Sequence, residues 1–218
     1  MTELAFAVVD IQPEPYAVAP QLTARLRLTE STGATIHAIA LRSQVRILPQ
    51  RRGYADEEER GLLELFGERG RWPTTLKSFL WLQSSTLVQG FTGSTETDLP
   101  LQCTFDFDVA ASKYLNALRD GDIPLELLFS GTVFTKGQTG FGVEQVPWHL
   151  EASYRLPVAA WRRLMDQYFP NAGWIRLDRG ALAALSQFRA ARGLTSWEAT
   201  VQTLLAAAAT GVGGERLP

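Results

Sequence analysis

Ile123-Pro-Leu-Glu-Leu-Leu-Phe-Ser-Gly-Thr-Val-Phe134 is the stretch on which the fold turns. Apolar residues run through it almost without a break, which suits a strand in the middle of a sheet, covered on both faces. Asp120-Gly121-Asp122 before it and Lys136-Gly137-Gln138 after it are turn signals. Past the second turn, Phe141, Val143 and Gln145 alternate as a hairpin partner, and another strand is expected around Ala152 to Leu156.

Upstream the same period of two recurs. Leu4, Phe6 and Val8 alternate with smaller residues, and Leu22, Ala24, Leu26 and Leu28 alternate with Thr23, Arg25 and Arg27, as in a sheet with one wet face. After the turn Ser31-Thr32-Gly33, the positions His37, Ile39, Leu41, Ser43, Val45 and Ile47 share a face, and Arg42, Gln44 and Arg46 take the other. Further strands are expected over Phe79 to Val88 and where Leu101, Cys103, Phe105 and Phe107 alternate with polar neighbours. Gly90 to Pro100 reads as a long connection.

Helical spacing interrupts this pattern. The acidic run Asp56-Glu57-Glu58-Glu59 opens a helix over about Ala55 to Phe66, because carboxylates favour the positive end of the helix dipole. Gly67 to Thr75 reads as loop, and Ala110 to Leu118 as a brief helix. From Val158 the chain turns helical: Trp161, Leu164, Met165 and Tyr168 form one stripe, and Asp178 caps a helix carrying Leu182, Leu185 and Phe188. After Gly193, Thr195 and Glu198 set up a capping box for a last helix with Trp197, Val201, Leu204 and Leu205 as its stripe. A short strand is expected at Trp174 to Leu177. The fold class is therefore α+β, an antiparallel β-sandwich-like core with inserted short helices and a C-terminal helical segment over about 158–208. A single domain spans 1–210, with a flexible tail at 211–218.

Composition excludes several classes. The chain has 218 residues, 45% hydrophobic and 20% charged, as in ordinary globular proteins. Lys and Arg number 21 against 23 acidic residues, so no charge bias points to nucleic acid. No basic region or long apolar run precedes Asp10, and Leu204 to Ala209 is too short to span a bilayer, so neither a secretory signal nor a membrane span is expected. A single cysteine, Cys103, excludes an intramolecular disulfide and fits a reducing cytoplasm.

The residues that could carry chemistry are few. His37 and His149 are too far apart for a helix-borne metal motif, and no metal or cofactor is expected. Cys103 shares its face with Leu101 and Phe105 and reads as a small buried hydrophobe. Asp106 and Asp108 fall on one strand face, where paired carboxylates can do acid/base work or hold a cation, although a solvated face gives the same letters. Lys136 to Gly142 lacks the Gly-Lys-Ser/Thr ending of a phosphate loop. Of six tryptophans, Trp72 and Trp148 sit beside prolines in loops, where each either lids the core or offers a protein contact.

The strings Tyr54-Ala-Asp-Glu-Glu-Glu-Arg60, Gly61-Leu-Leu-Glu-Leu-Phe-Gly67, Phe91-Thr-Gly-Ser-Thr95, Phe129-Ser-Gly-Thr-Val-Phe134 and Tyr168-Phe-Pro-Asn171 together resemble an uncharacterised actinobacterial protein family of unknown function. Its genes lie near those of nickel–iron hydrogenases and their maturation factors. The resemblance runs from about Leu4 to Leu205 and transfers no catalytic residue. It implies a cytoplasmic accessory role, a scaffolding or chaperone-like module that binds a hydrogenase subunit or maturation factor and helps assemble or stabilise the enzyme. Two other readings stand beside it: an enzyme or small-ligand-binding domain with a site near Asp106 and Asp108, and a structural homo-oligomer joined through strand edges or the C-terminal helices.

Overall fold

The computed structural model describes residues 2–103, 110–137, 140–170 and 177–211. The chain divides into two compact units, 1–173 and 174–218. In the first, the strands in chain order are β1 Leu4–Pro13, β2 Gln21–Glu30, β3 Thr35–Ile47, β4 Phe79–Thr92, β5 Ser94–Gln102, β6 Asp122–Gly137, β7 Gly140–Gln145 and β8 Glu151–Pro157. Helices α1 Asp56–Phe66, α2 Trp72–Thr75 and α3 Ala110–Ala117 are inserted between strands, and α4 Val158–Tyr168 follows the last one.

Every strand pairing among the described residues is antiparallel. One sheet has three strands in the order β1-β2-β5, and the other has five, β4-β3-β6-β7 with β8 also on β6. The architecture is α+β. β6 is central, with β3 along one side and β8 then β7 along the other. Its inward residues Ile123, Leu125, Leu127, Phe129 and Val133 are all buried. The opposite face is less covered than the apolar run suggests. Leu128, Thr132 and Phe134 are half-buried and Ser130 is exposed, so one face of β6 is the core and the other only partly dry.

The sheets meet face to face. Phe6 of β1 stacks on Phe129 of β6 with ring centroids 4.5 Å apart. Leu22, Ala24, Leu26 and Leu28 of β2 are fully buried opposite the inward face of β3, and each such leucine contributes about 1.5–3 kcal/mol of transfer free energy. Cross-sheet hydrogen bonds close both sides: Tyr154 Oη of β8 donates to Asp10 Oδ1 of β1 at 2.9 Å, and Ser84 Oγ of β4 donates to the Pro100 carbonyl of β5. Gly131 lets β3 and β6 pair closely. Its φ is +145°, and a Cβ there would lie 2.2 Å from the Ala40 carbonyl oxygen.

Gly67 to Thr75, read as loop, ends in the short helix α2 Trp72–Thr75, whose first turn accommodates Pro73, and two further stretches differ from the sequence reading. Most of the connection expected at Gly90 to Pro100 is strand: β4 continues to Thr92, a turn at Gly93 (φ +76°) follows, and β5 begins at Ser94. Gly90 looks like punctuation, but it is there because a side chain would strike the His37 carbonyl at 2.7 Å. β5 earns its place through alternation, with Thr95, Thr97, Leu99 and Leu101 inward while Glu96 and Asp98 meet Arg27 and Arg25 of β2. His37 also differs: a register shift between Ile36 and Ala38 turns it out to an exposed position, off the face of Ile39 and Leu41.

The second unit holds α5 Arg179–Ala191 and α6 Trp197–Gly211. Asp178 Oδ1 accepts the Ala181 N–H at 2.8 Å, as its cap position predicts. The cap of α6 lies one residue later than expected, because Ser196 Oγ, not Thr195, accepts a helix N–H, that of Ala199 at 3.1 Å. The strand expected at Trp174 to Leu177 lies outside the described residues except for Leu177, which has no regular structure. The tail expected at 211–218 lies outside them beyond Gly211.

Candidate functional site

Asp106 and Asp108 lie outside the described residues. Cys103 is buried, its thiol donates to the Leu101 carbonyl at 3.5 Å, and burial pushes its pKa up to about 12, so it is a thiol and not a nucleophile. Among the described residues no three His, Cys, Asp or Glu side chains gather where they could hold a metal ion.

A deeply buried ionisable cluster is built around α1. Glu58 sits at the third helical position, where its carboxylate reaches back to the Ala55 N–H at 3.1 Å. It also accepts the Arg119 N–H at 2.7 Å and both oxygens meet Arg52 Nη2 at 2.9 Å. Arg52 Nη2 also reaches the Asp120 carbonyl at 3.1 Å, while Nη1 donates to the Asp122 carbonyl at 3.3 Å and Nε to the Gly53 carbonyl at 3.0 Å. Burial raises the Glu58 pKa, but the N–H groups of Arg119 and Ala55 and the Arg52 guanidinium outweigh it and hold the carboxyl below its ordinary value. Beside this pair, Tyr54 Oη donates to the Pro49 carbonyl at 2.7 Å and lies 2.8 Å from Tyr114 Oη. Desolvation raises both phenols, that of Tyr114 to about 12. The Glu58 and Arg52 bonds join the start of α1 to the turn after α3, and the cluster is a structural clasp.

The two tryptophans singled out in the sequence part company. Trp72 lids the core: it is 9% exposed, packs edge-on against Tyr54 at 5.1 Å and donates Nε1–H to the Gly67 carbonyl at 3.0 Å. Trp148 is 89% exposed in the β7–β8 connection, touching His149 edge-on at 5.9 Å. The β1–β2 connection presents Tyr16 and Val18 just as openly, and it is held in shape: Gln167 Nε2 and Tyr168 Oη of α4 donate to the carbonyls of Pro15 and Ala17 at 3.0 and 2.6 Å. The sequence contained these residues but no spacing that marks them, since a loop has no periodicity to read.

The second unit carries an exposed apolar stripe. Trp197, Val201 and Leu205 follow one another at intervals of four along α6, and each is exposed, Leu205 by 64%. Arg189 of α5 lies over the Trp197 ring, 4.1 Å from its centroid. From Ala199 to Gly211 the helix bears no charged residue. A helix uncharged beyond its first turn, with a stripe of large apolar side chains in water, is the kind of surface that marks contact with another molecule.

Residues 1–212 match the family of unknown function DUF6084, and the chain belongs to that family. No curated protein matches it. Among solved structures, the β-glucosidase of Kluyveromyces marxianus is similar over 71% of this chain at 9% identity with a TM-score of 0.25, and this chain spans 15% of that enzyme's length. The putative ApaA protein of Bordetella pertussis is similar over 71% of this chain and 93% of its own at 13% identity and TM-score 0.26. No assignment rests on either likeness. No helix among the described residues is long and apolar enough to cross a membrane.

Proposed function

We propose that the protein is a non-enzymatic binding module that docks a folded protein partner on α6. The observation that carries this is the exposed stripe Trp197-Val201-Leu205. An apolar helix face set into a partner's groove is a recurrent mode of recognition, read as anchors at helical spacing. Tyr16, Val18 and Trp148 are exposed on the sandwich by themselves, the first two on a loop already fixed by α4. The family resemblance nominates a hydrogenase subunit or maturation factor as the partner, and an accessory part in assembling or stabilising that enzyme as the role.

The test is co-purification of the tagged full chain from cells expressing the hydrogenase cluster, alongside Leu205→Glu and Val201→Glu variants. Recovery of a hydrogenase subunit or maturation factor with the native chain and its loss with either variant supports the reading. Recovery that both variants leave unchanged, or none of these proteins under mild conditions, overturns it. A light-scattering mass of a dimer that the same variants reduce to a monomer would instead assign the stripe to a second copy of this chain.

A further inference from the structure

A second site lies on the outward face of the five-stranded sheet and does not depend on the reading of α6. Three outward arginines on the strands are matched across the ladder by carboxylates: Arg25 by Asp98 at 3.2 Å, Arg27 by Glu96 at 2.7 Å, and Arg46 by Glu126 at 3.6 Å. Among the described residues, Arg155 of β8, opposite Pro124, has no such match, and neither does Arg42. Arg42 stands in the middle of β3, flanked by β4 and β6, and its cross-strand neighbours are Ser85 and Ser130. Its guanidinium makes no hydrogen bond or ion pair with the described residues, and Glu126, the carboxylate further along that face, is already engaged by Arg46.

The small neighbours leave space. A hollow of about 380 Å³ lies over Arg42, Gln44, Gln83, Ser85 and Ser130, floored by strand backbone at Ser43 and Ser84, whose side chains turn inward. A second hollow of about 400 Å³ shares Arg42 and Ser85 with it and continues over Ala40 and Leu87. The trough is thus polar and cationic at one end and apolar at the other, where Leu87 is 59% exposed.

We infer that this trough receives the C-terminal carboxylate of a partner peptide whose last side chain is apolar. The guanidinium fork matches a carboxylate with two parallel N–H bonds, and the serine hydroxyls and glutamine amides on either side supply further donors. A single cation suits a monoanion; a phosphate dianion would bring a second negative charge with nothing to meet it. The last side chain then lies on Ala40 and Leu87. A chain end fits better than a free small molecule, because the trough runs along an open sheet face and small-molecule sites bury most of their ligand.

The experiment is amide NMR on the full-length protein, titrated with the acetylated tripeptide Ala-Ala-Leu as the free acid and as the C-terminal amide. The free acid should shift the backbone amides of Arg42, Ser85 and Ser130, and the amide form should bind at least about tenfold more weakly, the loss of one charge-assisted pair. Arg42→Gln, an exposed change that leaves the melting temperature unaltered, should bring the acid down to the affinity of the amide. Leu87→Ser should weaken the Leu-ended peptide and leave a Gly-ended one unchanged. Equal binding of acid and amide, no shifts at these residues, or saturation of them by inorganic phosphate at lower concentration than the peptide overturns the inference.

Discussion

Replacing Glu58 by alanine should be among the most damaging single changes in the sandwich, and the reason is the charge it would strand. Arg52 and Glu58 side chains are 8% and 3% exposed. With the carboxylate gone, the guanidinium stays buried with only the carbonyls of Asp120, Asp122 and Gly53 around it, and the N–H groups of Ala55 and Arg119 lose their acceptor. Breaking one side of a buried pair costs about 3–5 kcal/mol. For a unit of this size that lowers the melting temperature by roughly 6–20 °C. Urea denaturation followed by fluorescence of Trp72 and Trp161, both in this unit's core, measures the loss directly. The double variant Arg52→Met/Glu58→Leu removes both charges and should be more stable than Glu58→Ala alone, since no orphan charge remains. A loss below about 1 kcal/mol for Glu58→Ala, or a double variant no better than it, would refute the clasp. The pH dependence has a fixed sign. The Glu58 carboxyl lies below its ordinary value of 4.5 when folded, so between the two values the unfolded chain binds more protons. This contribution is therefore fully present above about pH 4.5 and is lost as pH falls through the folded value. Glu58→Gln should remove that component of acid denaturation.

Gly131→Ala should cost more than about 3 kcal/mol in the same assay, because the positive φ and the Ala40 carbonyl leave no room for a methyl group; a loss under about 1 kcal/mol would contradict the close pairing of β3 and β6. Ser43→Ala should leave stability unchanged or raise it by about 1 kcal/mol, since the buried Ser43 hydroxyl has no partner among the described residues and a loss of that size would show that it has one. Cys103 should react with Ellman's reagent at pH 8 only as fast as the unit opens; rapid reaction of the folded protein would mean a far lower thiol pKa than about 12.

Most of the sandwich was legible because burial on one sheet face writes a period of two into the chain. Leu22 to Leu28 and Ile39 to Ile47 could be placed from that alone. The misreadings have physical causes. Gly90 is a residue that turns and tight strand crossings both demand, and composition cannot separate the two. The bulge that turns His37 outward shifts register by one residue, which no alternation pattern announces. The clasp was hidden for another reason: the Arg52–Ala55–Glu58 part of it is local, but Arg119, Asp120 and Asp122 are brought to it only by the fold. Arg42 was placed on the correct face, but its isolation depends on which residues lie across the ladder, and the register supplies that.

The stripes of α4 and α6 show where helical patterning stops being informative. Trp161 and Leu164 on α4, and Trp197 and Val201 on α6, follow the same spacing rule, and the sequence gives no ground for treating them differently. In the fold Trp161 is 4% exposed and Leu164 fully buried, whereas Trp197 and Val201 are 42% and 44% exposed. The pattern encodes only that something apolar is to cover the helix, and the cover can come from the same chain or from another. For α4 it comes from the sandwich, through Trp81, whose ring lies edge-on to that of Trp161 at 6.0 Å. For α6 the described residues provide no comparable cover. A helix patterned for burial and left exposed is thus a reason to look for the molecule that covers it, and the variants Val201→Glu and Leu205→Glu ask that question without disturbing the sandwich.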